Sequence, residues 1–156
     1  MNEMTQSSNQ QLASAETREY VTAQIAGQHF GVPVLSVQDV LGPQKLTSIP
    51  LAPPEVAGAL NLRGRIVTAY DVRRRLGLPP ADRVKSMSVV VEHHGEPYSL
   101  LIDEVGEVLS VPTAKIERNP PTLDAHWREV AIGIYRLDGR LLVMLDVEKL
   151  LDFAVA

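Results

Sequence analysis

From Glu19 onward the chain is a succession of short apolar runs rich in Val, Ile and Leu, separated by Gly, Pro, Asn or Asp. Runs of that length between turn-forming residues predict many short β-strands. The pattern predicts strands over residues 19–25, 30–34, 36–41, 45–49, 57–62 and 65–70, then over 87–92, 98–103, 107–111, 131–135 and 141–145. Arg63-Gly64 and Asp138-Gly139 predict tight hairpin turns, in which glycine supplies a positive φ. Two short helices are expected, each opened by an aspartate N-cap, over 71–76 and 146–151. Gly77 and Pro79-Pro80 end the first; Pro50, Pro53-Pro54 and Pro120-Pro121 mark irregular connections. Residues 1–17 are dominated by Asn, Gln, Ser and Thr. Such a segment cannot offset its ordering entropy, which predicts a disordered tail ahead of a domain over 18–156.

The chain also resembles itself. At an offset of 68, Gly27 falls on Gly95, Val37 on Val105, Val40 on Val108 and Leu41 on Leu109. Phe30 meets Tyr98, Val34 meets Ile102 and Asp39 meets Glu107. At an offset of 75, Gly58, Leu62, Gly64, Arg65, Asp71, Val72 and Leu76 fall on Gly133, Leu137, Gly139, Arg140, Asp146, Val147 and Leu151. The turn glycine, the turn arginine and the capping aspartate keep their spacing together. Approximate repeats over 19–80 and 86–153 follow, each an all-β unit of about five strands ending in a short helix. A unit of about 65 residues is marginal alone. Small closed barrels remove exposed sheet edges. The expected fold is therefore two pseudo-symmetric five-stranded barrels of the SH3/OB type that share a core.

Composition narrows the chemistry. The chain has 156 residues, no cysteine and a net charge of −4. That excludes disulfides, thiolate metal sites and a cysteine nucleophile, and gives no whole-molecule attraction to nucleic acid or anionic membranes. No apolar run approaches the roughly 18–20 residues of a membrane helix, and no signal-peptide pattern opens the chain, so a soluble cytoplasmic protein is expected. No phosphate-binding glycine loop, zinc-protease motif or nucleophile elbow occurs. Four histidines exist, His29, His93, His94 and His126. Neighbours in a strand point to opposite faces, so His93-His94 read as a solvated turn, and neither metal nor cofactor is expected. Asp71 and Asp146 could form a pseudo-symmetric carboxylate dyad, but helical pattern follows each, which favours the cap reading over an enzyme. Residues 61–85 carry Arg63, Arg65, Arg73, Arg74, Arg75, Arg83 and Lys85 against Asp71 and Asp82. A small barrel binding nucleic acid through that strip is the alternative reading, although aromatic residues are only 4% of the chain, too few for a stacking platform. Arg73, Arg74 and Arg75 read as the wet face of a helix, whereas Arg63 stands beside a turn glycine where a planar cation can anchor a partner.

Several runs resemble the central motifs of the CheW-like domain family. They are Val37-Gln38-Asp39-Val40, Asn61-Leu62-Arg63-Gly64-Arg65-Ile66-Val67, Asp71-Val72-Arg73, the stretch from Leu101 to Leu109 and the closing Leu145 to Leu151. The resemblance spans about residues 19–153. It implies two small barrels that exchange elements, so the repeats need not coincide with barrel boundaries. It further implies a non-catalytic chemotaxis adaptor, which links the cytoplasmic hairpin tip of a chemoreceptor to the regulatory domain of the chemotaxis histidine kinase. The kinase core and phosphotransfer bundle of longer family members have no counterpart here. Carried over from the family motifs, the receptor surface is Val37, Asp39 and Arg63, with Met87 and Ser88 across a groove between the subdomains. The kinase-binding residues stay unassigned. Val37 reads more readily as core packing, and Arg63 reads equally as a brace that pairs with an acid such as Asp39. Thr68 stands where the family commonly has proline, and Asp39 where it often has glutamate; Thr68 frees a backbone N–H and lets its strand run on.

Overall fold

The structure, a computed structural model, describes residues 16–82 and 84–152. The tail expected over residues 1–17 lies outside the described residues up to residue 15; the first strand begins at Thr17, two positions earlier than the apolar pattern predicts.

Among the described residues, ten strands form two five-stranded sheets. They are β1 (Thr17–Ile25), β2 (Gln28–Pro33), β3 (Val37–Leu41), β4 (Val56–Leu62), β5 (Arg65–Asp71), β6 (Met87–His93), β7 (Glu96–Ile102), β8 (Glu104–Pro112), β9 (Ala131–Leu137) and β10 (Arg140–Leu145). One sheet runs β8-β1-β2-β10-β9 and the other β3-β6-β7-β5-β4. Each repeat therefore divides its strands between both sheets: β1 and β2 pair with strands of the second repeat, and β3 and β5 with the hairpin that opens it, while β4 pairs with β5 at the edge. The registers repeat as well. Phe30 pairs with Val143 in the parallel β2–β10 ladder, and their counterparts Tyr98 and Thr68 pair in the parallel β5–β7 ladder. The register shift between Val21 and Ala23 recurs between Val37 and Asp39, on the equivalent strand pair.

Each sheet closes through the chain that follows its edge strand. Thr47, beyond β3, bridges Ala59 on β4, and Glu117, beyond β8, bridges Ile134 on β9. Both bridges exchange two backbone hydrogen bonds of 2.8–2.9 Å. The close approach requires glycine beside the bridge. A Cβ on Gly58 would lie 2.6 Å from the Thr47 carbonyl oxygen, and one on Gly133 would overlap that of Glu117. The run over 45–49, expected as a strand, is this closing segment. It makes one bridge only, because Pro43 and Pro50 deny a longer ladder.

The turns obey one rule. Arg63-Gly64, Asp138-Gly139, Ala26-Gly27 and His94-Gly95 all place two successive residues at positive φ, the twist that two-residue hairpins need. Among the described residues there are three α-helices: α1 (Val72–Arg75), α2 (Ala125–Val130) and α3 (Val147–Leu151). Asp71 Oδ1 accepts from the Arg74 N–H, and Asp146 Oδ1 from the Lys149 N–H, so both act as the expected caps. Helix α2 follows the diproline connection and was not expected from the pattern. Asp124 caps it, and it buries Trp127 and Val130.

Apolar residues sort into three groups. Ala57, Leu60, Val67, Ala69, Val90 and Leu101 fill the β3–β7 barrel. Tyr20, Val111, Leu142 and Met144 fill the other. The largest group lies between them and draws on both sheets and all three helices, including Ile25, Phe30, Tyr70, Val89, Leu100, Trp127, Ile134, Leu145 and Leu150. At this junction the Tyr70 hydroxyl donates to the Leu150 carbonyl at 2.9 Å, and burial raises the phenol's pKa. A second tie is polar. Arg73 on α1 donates twice to Asp103, from Nε at 2.8 Å and Nη2 at 2.6 Å, and Asp103 also accepts from the Ala26 N–H. The Arg73 hydrogen bond, chiefly, holds the Asp103 carboxyl below its ordinary pKa despite partial burial. One carboxylate thus clips the β1–β2 turn to α1.

Candidate functional site: the mouth of the second barrel

Strand β3 is the edge of its sheet, and the β4–β5 turn stands at the opposite edge, so barrel closure brings them together. There Arg63 Nη2 lies 2.9 Å from Asp39 Oδ2. The arginine side chain is 77% exposed and the aspartate 22%. The contact is one of charge rather than an aligned hydrogen bond, since Asp39 Oδ2 has no hydrogen-bond partner; Oδ1 accepts from the Val40 N–H. The turn carrying Arg63 is held by Asn61, whose Oδ1 accepts from the Gly64 N–H at 2.9 Å. A shallow cavity of about 140 Å³ opens beside the pair, lined by Leu62, Arg65, Val67, Val90 and Pro97 among others.

Val37 is half-buried and packs against the core between the barrels, as its duplicate Val105 does. Its side chain is thus part core and part surface. Met87, at the start of β6, packs against the same core. Ser88 is 2% exposed and paired with Leu41 and Leu101. Its side chain is buried within the chain as it stands. Neither Met87 nor Ser88 lines the cavity at Asp39 and Arg63. Thr68 lies in an unbroken β5, paired with Ala59 on one side and Tyr98 on the other.

The duplication builds an equivalent mouth on the first barrel. A cavity of about 200 Å³ is lined there by Thr22, His29, Glu107, Leu137, Arg140 and Leu142, among others. These occupy the positions of Val90, Pro97, Asp39, Leu62, Arg65 and Val67. The frame is shared and the charge is not: Asp138 replaces Arg63 at the turn and Glu107 replaces Asp39, so the cross-mouth ion pair is lost. Arg140 Nη1 instead meets His29 Nε2 at 3.0 Å. This second mouth escaped sequence reading, although the Arg65/Arg140 match was its signal.

Three cations of the basic strip stand in ion pairs. Arg73 is held by Asp103, Arg75 by Glu129 at 3.1 Å and Arg63 by Asp39; Arg83 lies outside the described residues. Asp71 is 4% exposed, and its second oxygen accepts from the Ala81 N–H. It is committed to local backbone rather than to a catalytic dyad.

Known proteins share both sequence and fold with the chain. It is 31% identical over 134 residues to the probable chemotaxis protein CheW of Rhizobium etli, covering 85% of this chain and 86% of that one. It is 28% identical over 133 residues to chemotaxis protein CheW of Rhizobium meliloti, covering 85% and 86%. The crystal structure of the scaffolding protein TtCheW from Thermoanaerobacter tengcongensis superposes with a TM-score of 0.74 at 28% identity, covering 83% of this chain and 89% of that one. The CheW-like domain family model matches residues 19–155. With the exchanged barrels and the motif runs in their expected places, the chain belongs to the CheW-like domain family.

Proposed function

We propose that this chain is a non-catalytic chemotaxis adaptor. It works in the cytoplasm, reaches membrane receptor arrays through its partners, and couples the hairpin tip of a chemoreceptor to the regulatory domain of the chemotaxis histidine kinase. Relatives named as chemotaxis protein CheW and a neighbour titled a scaffolding protein support the class. Coupling in such a scaffold is linkage: a receptor state that binds more tightly to one arrangement of the assembly biases the kinase by the same free energy.

The observation that carries the receptor surface is the exposure of Arg63 on a turn that Asn61 holds. An exposed ion pair contributes about 0–1 kcal/mol to folding, so the fold has little need of the guanidinium. It is free to make a charged contact beside Asp39. Arg63→Asp reverses that charge and sets it against Asp39. Binding to a receptor hairpin should weaken by roughly 2–5 kcal/mol, the cost of losing a desolvated charge pair. Kinase affinity and the melting temperature should stay near wild type. Titrations with each partner and a melting curve decide it. Equal loss toward both partners with a lowered melt makes Arg63 structural and moves the receptor surface elsewhere.

A further inference from the structure

In the first repeat, Asp103 ties the β1–β2 turn to α1 by accepting from Ala26 and Arg73. The duplication places the β6–β7 turn and α3 in the same relation. His94 takes the position of Ala26, Glu148 that of Arg73, and Leu35 that of Asp103. Leu35 is fully exposed and has no polar group to bridge with. What stands at this junction instead is a set of metal-binding side chains. The ligand atoms of His93, His94 and Glu148 all lie within 4.8 Å of one another.

We propose that His93, His94 and Glu148 form a site for a divalent transition-metal ion of the zinc type, which clips the β6–β7 turn to α3 as Asp103 clips its counterpart. The strand rule that set the two histidines on opposite faces stops applying here. His93 is the last residue of β6, and His94 sits in the turn at φ 52°. That turn folds the rings onto one another, with centroids 4.0 Å apart. His93 is 2% exposed, yet neither of its ring nitrogens has a hydrogen-bond partner. Buried imidazole nitrogens are ordinarily satisfied, so Nδ1, left open beside Glu148 and His94, points to an occupant. His93 Nδ1 is 3.6 Å from Glu148 Oε2. Ligands about 2.0–2.1 Å from a tetrahedral zinc lie about 3.3 Å apart, so this edge is already near its bound length. Two imidazoles and one carboxylate suit zinc and its neighbours, whereas Mg²⁺ and Ca²⁺ prefer all-oxygen shells. Since β6 and β7 belong to one barrel and α3 follows β10 of the other, the ion would fasten the two barrels at their junction.

The test uses the untagged full chain, stripped with EDTA and held at pH 7.5. Zn²⁺ is added in calorimetry and in melting curves, with Mg²⁺ as the control. His94→Asn keeps a residue that tolerates the left-handed turn, and Glu148→Gln keeps the helix; both positions are exposed, so neither change disturbs the core. The expected result is one Zn²⁺ per chain. At a hundredfold excess over Kd the melting temperature should rise by about 5–10 °C, and most of that rise should vanish in each variant. No zinc-dependent rise, an equal rise with Mg²⁺, or a rise that either variant retains overturns the site.

Discussion

Asp103 has its partners 30 and 77 positions away, Arg73 and Ala26. It stands in a family motif run, but nothing in that run announces either contact. Its folded pKa lies below the ordinary carboxylate value, with the Arg73 hydrogen bond as the main cause. The sign follows: the ionised form favours folding, so this stability is fully present above the unfolded pKa near 4 and drains away as pH falls through the folded value. Asp103→Asn should lower stability at pH 7 by about 1.5–3 kcal/mol, the range for hydrogen bonds to charged groups. The gap between wild type and variant should then narrow below about pH 4. Urea unfolding at a series of pH values measures it. A gap that persists undiminished to pH 3 would assign the acid-sensitive stability to another group. Arg63 behaves differently because its ion pair is solvated: the same pairing chemistry contributes little when water competes for it.

At the scale of elements, the strands follow from alternation and turn chemistry, and the two aspartate-capped helices start where their caps stand. The run over 45–49 shows where local pattern stops being informative. It is apolar enough for a strand, but its backbone meets one partner residue only, because it closes a barrel rather than extending a ladder. The matching segment at Glu117 was not legible at all, and α2 was hidden by the prolines before it. The glycines beneath the two bridges carry the closure. Gly58→Ala and Gly133→Ala should each cost about 1–3 kcal/mol, the range for overpacking a filled site, because both meet a bridge carbonyl, and Gly58 more, since its φ of 150° also strains a side-chain-bearing residue. Denaturant midpoints compare the pair directly. A neutral effect at either position would mean that its bridge is not needed for closure.

At the scale of the molecule, the exchange of strands makes each repeat dependent on the other. Residues 1–85 contain β1 to β5, yet β1 needs β8, and β3 and β5 need β6 and β7. Split between the repeats, neither fragment should show a cooperative unfolding transition by circular dichroism, whereas an equimolar mixture should recover the wild-type spectrum and melt. A fragment that melts cooperatively alone would contradict the dependence. The same exchange explains why the core between the barrels is the largest of the three. Each repeat contributes strands to both barrels, so the surface between them is continuous with the chain crossing from one to the other.

The sequence by itself determined the all-β class, the two pseudo-symmetric units, the turn at Arg63-Gly64 and the caps at Asp71 and Asp146. These depend on neighbours within a few residues or on repetition along the chain. Tertiary structure alone decided which strands share a barrel, that the Asp39–Arg63 pair already anticipated spans a closing edge, that Ser88 is buried, and that His93, His94 and Glu148 converge. Each of those turns on contacts between positions far apart in the chain, where the backbone path, rather than the local period of apolar residues, sets which side chains meet.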